Sequence, residues 1–238
     1  MAFIKVVNND SFVLIDDEFQ NYGLVEAFHH RLLETFTMPE SSQVFWENIP
    51  HVYKGHTNSQ PMVAILSDRN FTIPCALTIV RSGNDFTIHF HGNIQQEAYQ
   101  YVNILIYDLP SPEYMPTGLV VLRNAEGKVT FDSGRRLMKV IGTIKSGETK
   151  QIPLNTAVAY TSMRLGYRMV YDPYTRYHIL DYRSDFIDAT NNGTTLRLSN
   201  KSFKSFTSST QPATPSNWPS GSNLGVTSAL LIDASGIF

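Results

Sequence analysis

The chain has one cysteine and few charged residues, and these shortages already restrict what it can be. Charged residues make up 17% of its 238 residues, below the quarter or so of an average soluble domain. Cys75 has no second cysteine with which to form a disulfide, and its apolar surroundings predict an inert thiol in a buried strand. A formal net charge of −2 provides no broad positive field, so we expect no nucleic-acid partner.

Long hydrophobic runs are missing as well. No uninterrupted apolar stretch approaches the ~20 residues that a helix needs to cross a bilayer. The first residues, MAFIKVVN, lack the basic segment and the long apolar segment of a secretion signal. We therefore expect a soluble protein without a membrane span, made in a cytosol.

The sequence contains none of the common motifs of nucleophilic or nucleotide-dependent catalysis. G-x-S-x-G, G-x-x-x-x-G-K-[ST] and G-x-G-x-x-G are all absent. The densest carboxylate run, Asp16–Glu18, lacks the alternating acidic pattern of a calcium loop and is expected to form a solvated turn. A carboxylate pair that meets only in the folded chain stays compatible with the sequence. We predict that the protein is not an enzyme and has no catalytic, cofactor-binding or metal-binding residues.

Two stretches of the chain look like versions of one β-hairpin. Residues 4–16 read IKVVNNDSFVLID, and residues 120–132 read VVLRNAEGKVTFD. Each has an apolar strand, a polar turn and a second strand that ends in aspartate. Aligned, they carry the same residue at three positions: Asn8 and Asn124, Val13 and Val129, and Asp16 and Asp132. This repetition predicts an all-β protein assembled from hairpins.

Alternating polarity predicts further strands along most of the chain. In residues 86–91, one face holds Phe86, Ile88 and Phe90, and the other holds Thr87, His89 and His91. Other strands are predicted at 62–66, 71–80, 99–108, 137–145, 151–160, 163–171, 177–182, 194–199 and 226–233. Many short strands separated by turns indicate a mainly β fold, an antiparallel β-sandwich or barrel-like sheets.

Two segments of the chain depart from simple alternation of polar and apolar residues. Residues 99–108 (YQYVNILIYD) are apolar on both faces, which is typical of a strand between two layers or beneath a neighbouring subunit. Residues 24–36 place apolar side chains at helical spacing. The hairpin context favours a strand with a bend near His29 and His30, and a helix remains the alternative.

Composition changes near residue 200. We predict a β-rich domain over 1–200, and whether it is subdivided near 37–60 or near 110–118 is left open. Residues 201–225 are rich in Pro, Ser and Thr and form either a solvated linker or an arm lying on a neighbouring subunit. Residues 226–238 contain an apolar run that predicts a C-terminal strand.

His89 and His91 are the only histidines at a spacing used in metal sites. In a strand, H-x-H places both imidazoles on one face. No third ligand accompanies them in the sequence, and the opposite face is the apolar one, so we expect them to face outward without a metal. A three-fold oligomer could complete a site with ligands from each chain.

Tyrosines and arginines are concentrated between residues 160 and 183. Both are enriched at protein interfaces, and tyrosine also stacks on sugars. The cluster comprises Tyr160, Tyr167, Tyr171, Tyr174, Tyr177 and Tyr182 with Arg164, Arg168, Arg176 and Arg183. Three interpretations stay open: rings that face the core, a protein interface, or a glycan-stacking surface.

The second hairpin and its continuation resemble a recurrent segment of tailed-bacteriophage tail-tip and tail-associated proteins. The matching residues are GLVVLRNAEGKVTFDS at 118–133 and LMKVIG at 137–142. In that family an apolar strand, an Asn-x-x-Gly turn and a strand ending in Phe-Asp-Ser precede another strand. The residues IKVVN at 4–8, VLIDD at 13–17 and NYGLV at 21–25 are similar to the start of small phage virion proteins of this kind.

The resemblance implies a structural protein of the virion, assembled in the cytoplasm of the host bacterium. It would lie in the tail, at the tail tip, the baseplate or the fibre-attachment region. Its partners would be other tail proteins and further copies of itself in a trimer or ring, since closed assemblies are the rule for identical chains. The alternative is a glycan- or receptor-binding module of the tail that recognises a host surface glycan. The resemblance implies no catalytic residues.

Overall fold

The computed structural model describes residues 5–7, 13–16, 20–32, 35–37, 44–47, 51–55, 59–66, 75–93, 100–162, 166–190, 194–208 and 228–238. Within these ranges the regular structure is entirely β, and no helix occurs. The strands are β1 (Lys5–Val7), β2 (Val13–Asp16), β3 (Gly23–Leu32), β4 (Thr35–Thr37), β5 (Val44–Glu47), β6 (His51–Lys54), β7 (Met62–Leu66), β8 (Cys75–Ser82), β9 (Asp85–Asn93), β10 (Gln100–Asp108), β11 (Val121–Arg123), β12 (Val129–Asp132), β13 (Val140–Lys145), β14 (Thr149–Gln151), β15 (Thr156–Ser162), β16 (Gly166–Asp172), β17 (Tyr177–Thr190), β18 (Thr195–Ser208) and β19 (Ser228–Asp233). The prediction of a mainly β fold is confirmed.

Six strands form the largest sheet, in the order β13-β19-β15-β7-β10-β3. Neighbouring strands in it are antiparallel throughout. The sheet is open, with β13 and β3 as its two edges. Both predicted hairpins also form, because β1 pairs with β2 and β11 pairs with β12.

A second layer of strands covers one face of this sheet. It consists of β9 flanked by β6 and β8, and of β18 flanked by β14 and β17. Ile104 and Ile106 from the sheet share one buried cluster with Phe86, Ile88 and Leu198 from the second layer. We call this cluster the first core. The packing of the two layers has the arrangement of a β-sandwich.

The opposite face of the six-stranded sheet holds a separate second core. Leu105 and Tyr107 pack there with Ala64 and Ile232. Burial raises the pKa of Tyr107 to about 12, with smaller opposing contributions from neighbouring charges. Because successive residues of a strand point to opposite faces, β10 contributes to both cores. Every residue from Asn103 to Asp108 is buried, which confirms that this strand lies between two layers.

The described residues of the segment 24–36, which are 24–32 and 35–36, lie in strands β3 and β4 and form no helix. Strand β3 pairs with β10 along its whole length, with a β-bulge at Val25. The bulge changes which face the following residues present, so that Leu24 packs on the second core and Phe28 on the first. The apolar residues therefore lose strict alternation, and their spacing resembles that of a helix.

Strand β18 extends to Ser208, so it includes the first eight residues of the segment predicted as an arm. The rest of that segment, 209–225, lies outside the described residues. The C-terminal strand β19 lies within the predicted 226–233. Cys75 is the first residue of β8, and its side chain lies outside those described.

Candidate functional site

Three exposed tyrosines lie around the turn between β16 and β17. Tyr174 is 96% exposed, Tyr171 52% and Tyr177 43%. Arg176 is exposed in the same turn, and the His178 ring lies 5.0 Å from the Tyr171 ring between centroids. We call Tyr171, Tyr174, Arg176, Tyr177 and His178 the tyrosine tip.

Asp172 shapes the turn that carries the tyrosine tip. Its carboxylate accepts a hydrogen bond from the Tyr174 N–H at 2.9 Å and one from the Thr175 hydroxyl at 2.8 Å. These bonds lower the pKa of the Asp172 carboxyl. Pro173 follows with its restricted φ angle, a common arrangement at the start of a turn. The sequence D-P-Y-T therefore places Tyr174 at the apex of the hairpin.

The register of the hairpin distributes the rings around that apex. Tyr171 is paired with His178, and Asp172 is paired with Tyr177. Adjacent pairs project from opposite faces of a hairpin. Tyr171 and Tyr177 therefore lie on opposite faces, with Tyr174 between them at the end, so the tip offers aromatic surface in several directions.

The structure brings together part of the predicted tyrosine and arginine cluster. Tyr160 is separate from the tip, because it lies on β15 and packs against the first core. Within the hairpin, Tyr167 is opposite Tyr182, and Arg168 is opposite Asp181. Outside the described side chains lie those of Arg164, Tyr167, Arg168, Tyr182 and Arg183. For Tyr171, Tyr174 and Tyr177, the interpretation as core-facing rings is wrong, since all three side chains are exposed.

A polar cleft of about 630 Å³ lies beside the second hairpin. Its walls come from β11, β12 and their turn, from the segment that follows β10, and from the turn between β8 and β9. It combines one aromatic ring with both signs of charge. The lining residues are Gln20, Asn84, Pro110, Ser111, Pro112, Tyr114, Arg123, Glu126, Gly127, Lys128 and Val129. None of them belongs to the tyrosine tip.

The hydrogen bonds of the buried Asp132 hold together the elements that form one wall of this cleft. Its carboxylate is buried and accepts hydrogen bonds from the Tyr114 hydroxyl at 2.6 Å and from the backbone N–H groups of Thr117, Gly118 and Gly134 at 3.0, 2.8 and 2.8 Å. Burial alone would raise the pKa of Asp132, but the four bonds outweigh it and hold the pKa at about 2. Asp132 therefore stays ionised and ties the segment after β10 to the second hairpin.

A second buried aspartate, Asp108, anchors the other end of that segment. Its carboxylate accepts hydrogen bonds from the Tyr53 hydroxyl at 2.8 Å and the Leu109 N–H at 2.7 Å. Arg135 donates to the Asp108 carbonyl at 2.5 Å, and its guanidinium lies 5.4 Å from the centre of the Tyr114 ring. Sequence analysis did not identify this network, although the run F-D-S-G-R at 131–135 is an aspartate-turn signal.

The two glycines that donate to Asp132 leave no room for a side chain. A Cβ built at Gly118 would lie 2.2 Å from both an Asp132 carboxylate oxygen and the Gly134 nitrogen. A Cβ at Gly134 would lie 2.6 Å from the Gly118 nitrogen. The backbone of the segment and the backbone of the turn are thus in direct contact.

We expect Gly118→Ala to lower the free energy of unfolding by about 2 kcal/mol, because the added methyl group must separate two backbones that cannot yield as a flexible side chain would. Urea unfolding followed by circular dichroism measures the change. Gly127→Ala is less suitable as a control because its φ of 78° itself disfavours alanine. Ala125→Gly, at an exposed position of the same hairpin turn, should shift the unfolding midpoint far less. Equal shifts would contradict the steric account.

The prediction for the histidine pair falls on side chains that the structure does not describe. His89 and His91 lie on β9, but their side chains are outside those described. Phe86 and Ile88 are buried, as expected for the apolar face of that strand. Among the side chains that the structure describes, no group of three His, Cys, Asp or Glu is placed to hold a metal ion.

Comparison of this chain with protein-family models, with curated proteins and with solved structures found no match. In the part of the chain that the structure describes, no helix has the length and apolar character to span a membrane. The chain is therefore described by class only: a mainly β protein of antiparallel sheets, with an exposed tyrosine tip and a polar cleft.

Proposed function

We propose that this protein is a structural component of a bacteriophage tail, at the tail tip, baseplate or fibre-attachment region. The observation that carries the proposal is the tyrosine tip. Further support comes from the resemblance of residues 118–133 to tail-associated proteins and from the open sheet edges. Other tail proteins and further copies of this chain are the proposed partners.

The tip has the chemistry of an interface anchor. A tyrosine buries roughly 150–250 Å² when it enters a pocket and keeps a hydroxyl for hydrogen bonding. Tyrosine and arginine account for a large share of the residues that dominate binding energy. Because Asp172 holds the turn by hydrogen bonds, little backbone entropy is lost when Tyr174 binds. A trimer or ring would present several such tips to one partner.

The test uses particles of the phage that encodes this chain. We expect peptides of the chain in purified virions, antibody label at the tail, and incorporation reduced about 30-fold or more by Tyr174→Ala, since losing a central anchor costs about 2 kcal/mol or more of binding. The folded stability of the variant should stay within about 0.5 kcal/mol, because Tyr174 has few neighbours.

Leu154→Ala is the matched control, since Leu154 is also a large exposed apolar side chain, at 59%, but lies in another turn. It should leave incorporation unchanged. Absence of the chain from virions would contradict the tail assignment. Normal incorporation of both variants would contradict the role of the tip.

A glycan- or receptor-binding module is the second candidate, and the polar cleft favours it. The cleft is concave, as sugar sites are, and places the Tyr114 ring beside the charged groups of Arg123, Glu126 and Lys128. In the virion experiment, an Arg123→Ala particle that contains the chain but no longer adsorbs to host cells would favour this candidate over assembly, because Arg123 lines the cleft.

A further inference from the structure

The two halves of the chain build the same arrangement of strands in the large sheet. In the first half, β10 lies between β3 and β7. In the second half, β19 lies between β13 and β15. Each half supplies three adjacent strands, and in both the last strand along the chain is the middle one. Among the three sheet strands of each half, the earliest in the chain, β3 or β13, forms an edge of the sheet. Strands β7 and β15 are neighbours at its centre.

The second layer repeats the pattern. Strand β9 lies between β6 and β8, and β18 lies between β14 and β17. The order along the chain is also the same, because β6 and β14 precede the central strands and the hairpins β8–β9 and β17–β18 follow them. The N–H of Gly55 donates to the Asn84 carbonyl, and the N–H of Ile152 donates to the Thr194 carbonyl. One hydrogen bond thus extends the ladder at the equivalent place in each half.

Irregularities of the strands coincide as well. The hairpin β1–β2 has a bulge after Val6, and β11–β12 has one after Leu122, 116 residues later. The edge strand β3 has a bulge at Val25, and the edge strand β13 has one at Ile141, again 116 residues later. Bulges are specific local features, so strand order alone does not explain two matching bulges at one spacing.

Buried positions match under the same correspondence. Aligning the two three-strand groups through their bulges pairs Val63 with Val158, and Asp108 with Asp233. Both valines lie in the first core at 2% exposure. Both aspartates end their strands, and each carboxylate accepts a hydrogen bond from the N–H of a residue that follows, Leu109 or Ser235.

The halves meet at residues that are equivalent to each other. The correspondence pairs Ala64 with Ala159, and these two residues are cross-strand partners in the sheet. It also pairs Tyr22 with Met138, and the Met138 N–H donates to the Tyr22 carbonyl at 2.9 Å. Self-equivalent contacts of this kind occur only on a two-fold axis. Both pairs lie in or against the second core, as one axis through the sheet requires.

We infer that the chain is an internal dimer: two copies of one β-module, joined in tandem and related by a pseudo-two-fold axis through Ala64 and Ala159. The first module extends from β1 to β10 and the second from β11 to β19. The surface that each module buries against the other is a self-complementary one, whose partner is a second copy of the module. Contacts of β2 with β12, β8 with β17 and β9 with β18 belong to the same interface.

Additions to the common plan distinguish the modules. Strands β4 and β5 belong to the first, and β16 belongs to the second. The tyrosine tip depends on the β16–β17 turn, so it belongs to the second module. The duplication does not depend on the tail assignment, since it concerns only the architecture of the chain.

A circular permutant tests the inference. Twelve residues, 109–120, connect Asp108 to Val121. Nine residues, 234–238 and 1–4, are available between the equivalent Asp233 and Lys5. If the modules are related by a two-fold axis, both connections span the same distance. A permutant that runs 116–238, three added Gly or Ser residues, then 1–115 should therefore fold, with a thermal midpoint within about 5 °C of the native order.

A cut-site control separates the effect of the new ends from that of the new connection. A protease site inserted between Met115, which is 82% exposed, and Pro116 should leave the cleaved chain folded as one complex. Permutants with linkers of zero, three and ten residues then measure the distance that the new connection must span. Folding that requires the ten-residue linker, or no folding at any length while the cleaved chain stays folded, would overturn the two-fold relationship. If the cleaved chain itself unfolds, the interface between the modules is too weak for an internal dimer, which would overturn the inference directly.

Discussion

Replacing Asp132 with asparagine is expected to lower the free energy of unfolding at neutral pH by about 3 kcal/mol. The carboxylate is 1% exposed and accepts four hydrogen bonds. An asparagine has one oxygen to accept such bonds, and its amide group would direct N–H donors at the backbone donors that remain. At least one backbone N–H, that of Thr117 or of Gly118, would lose its partner. Urea unfolding of the native protein and the variant measures the difference.

The same variant should change how stability depends on pH. The pKa of Asp132 is about 2 in the folded chain, compared with an ordinary value of 3.8. Because the folded-state pKa is the lower one, ionised Asp132 stabilises the protein above about pH 4, and this contribution is lost as the pH falls toward 2. The difference between the native protein and Asp132→Asn should therefore shrink over that range.

Asp172→Asn is the matched control for both measurements. Asp172 also accepts a backbone and a hydroxyl hydrogen bond, but it does so in a solvated turn. We expect a much smaller loss for Asp172→Asn than for Asp132→Asn at neutral pH. A loss for Asp132→Asn as small as that for Asp172→Asn would show that the buried network does not hold the segment after β10 in place.

Truncating either of two neighbouring residues on β10 should cost about 3–4 kcal/mol. Ile104 and Leu105 are both fully buried, and they point to opposite faces of the six-stranded sheet. Ile104 packs in the first core and Leu105 in the second. In a sheet with one solvated face, only one of two successive residues would be costly to truncate. Ile104→Ala and Leu105→Ala, each unfolded in urea, measure the two cores separately.

Ile141→Ala is the control for this pair, since Ile141 has a similar volume but is 42% exposed at the bulge of the edge strand β13. It should cost less than about 1 kcal/mol. A loss below 1 kcal/mol for Leu105→Ala alone would mean that the second core contributes little, and that the sheet is effectively one-sided.

Local patterns in the sequence predicted most of the strands. Residues 62–66 form β7 with the predicted bounds, and the polar turn predicted for the second hairpin contains Gly127 at positive φ. These features depend on residues close together in the sequence, because alternation of polar and apolar side chains indicates a strand and glycine permits a tight turn. The favoured interpretation of residues 24–36 as a strand is confirmed over the described residues, and the helical spacing of its apolar residues arises because a bulge at Val25, formed by pairing with β10, changes the face of the strand.

Only part of the candidate site could be predicted from the sequence. The concentration of tyrosine and arginine could be counted, and D-P-Y-T indicated a turn. The sequence could not show that Tyr174 is exposed whereas Tyr160 is partly buried, because the exposure of each ring depends on what packs against it in the folded chain. The donors to Asp132 come from a segment 14 to 18 residues before it as well as from the turn after it, and no local pattern connects them.

Most of the strands, the two similar hairpins and the two-sided burial of β10 could be predicted from the sequence, because all of these follow from residue type at short spacing. Which strands are neighbours depends on the three-dimensional packing of the chain. The order β13-β19-β15-β7-β10-β3 joins residues that are far apart in the chain, and such pairings are selected by the packing of whole faces. The similarity of the two hairpins could be seen in the sequence. The similarity of the two modules could be seen only in the structure, where the equivalent residues Ala64 and Ala159 are cross-strand partners.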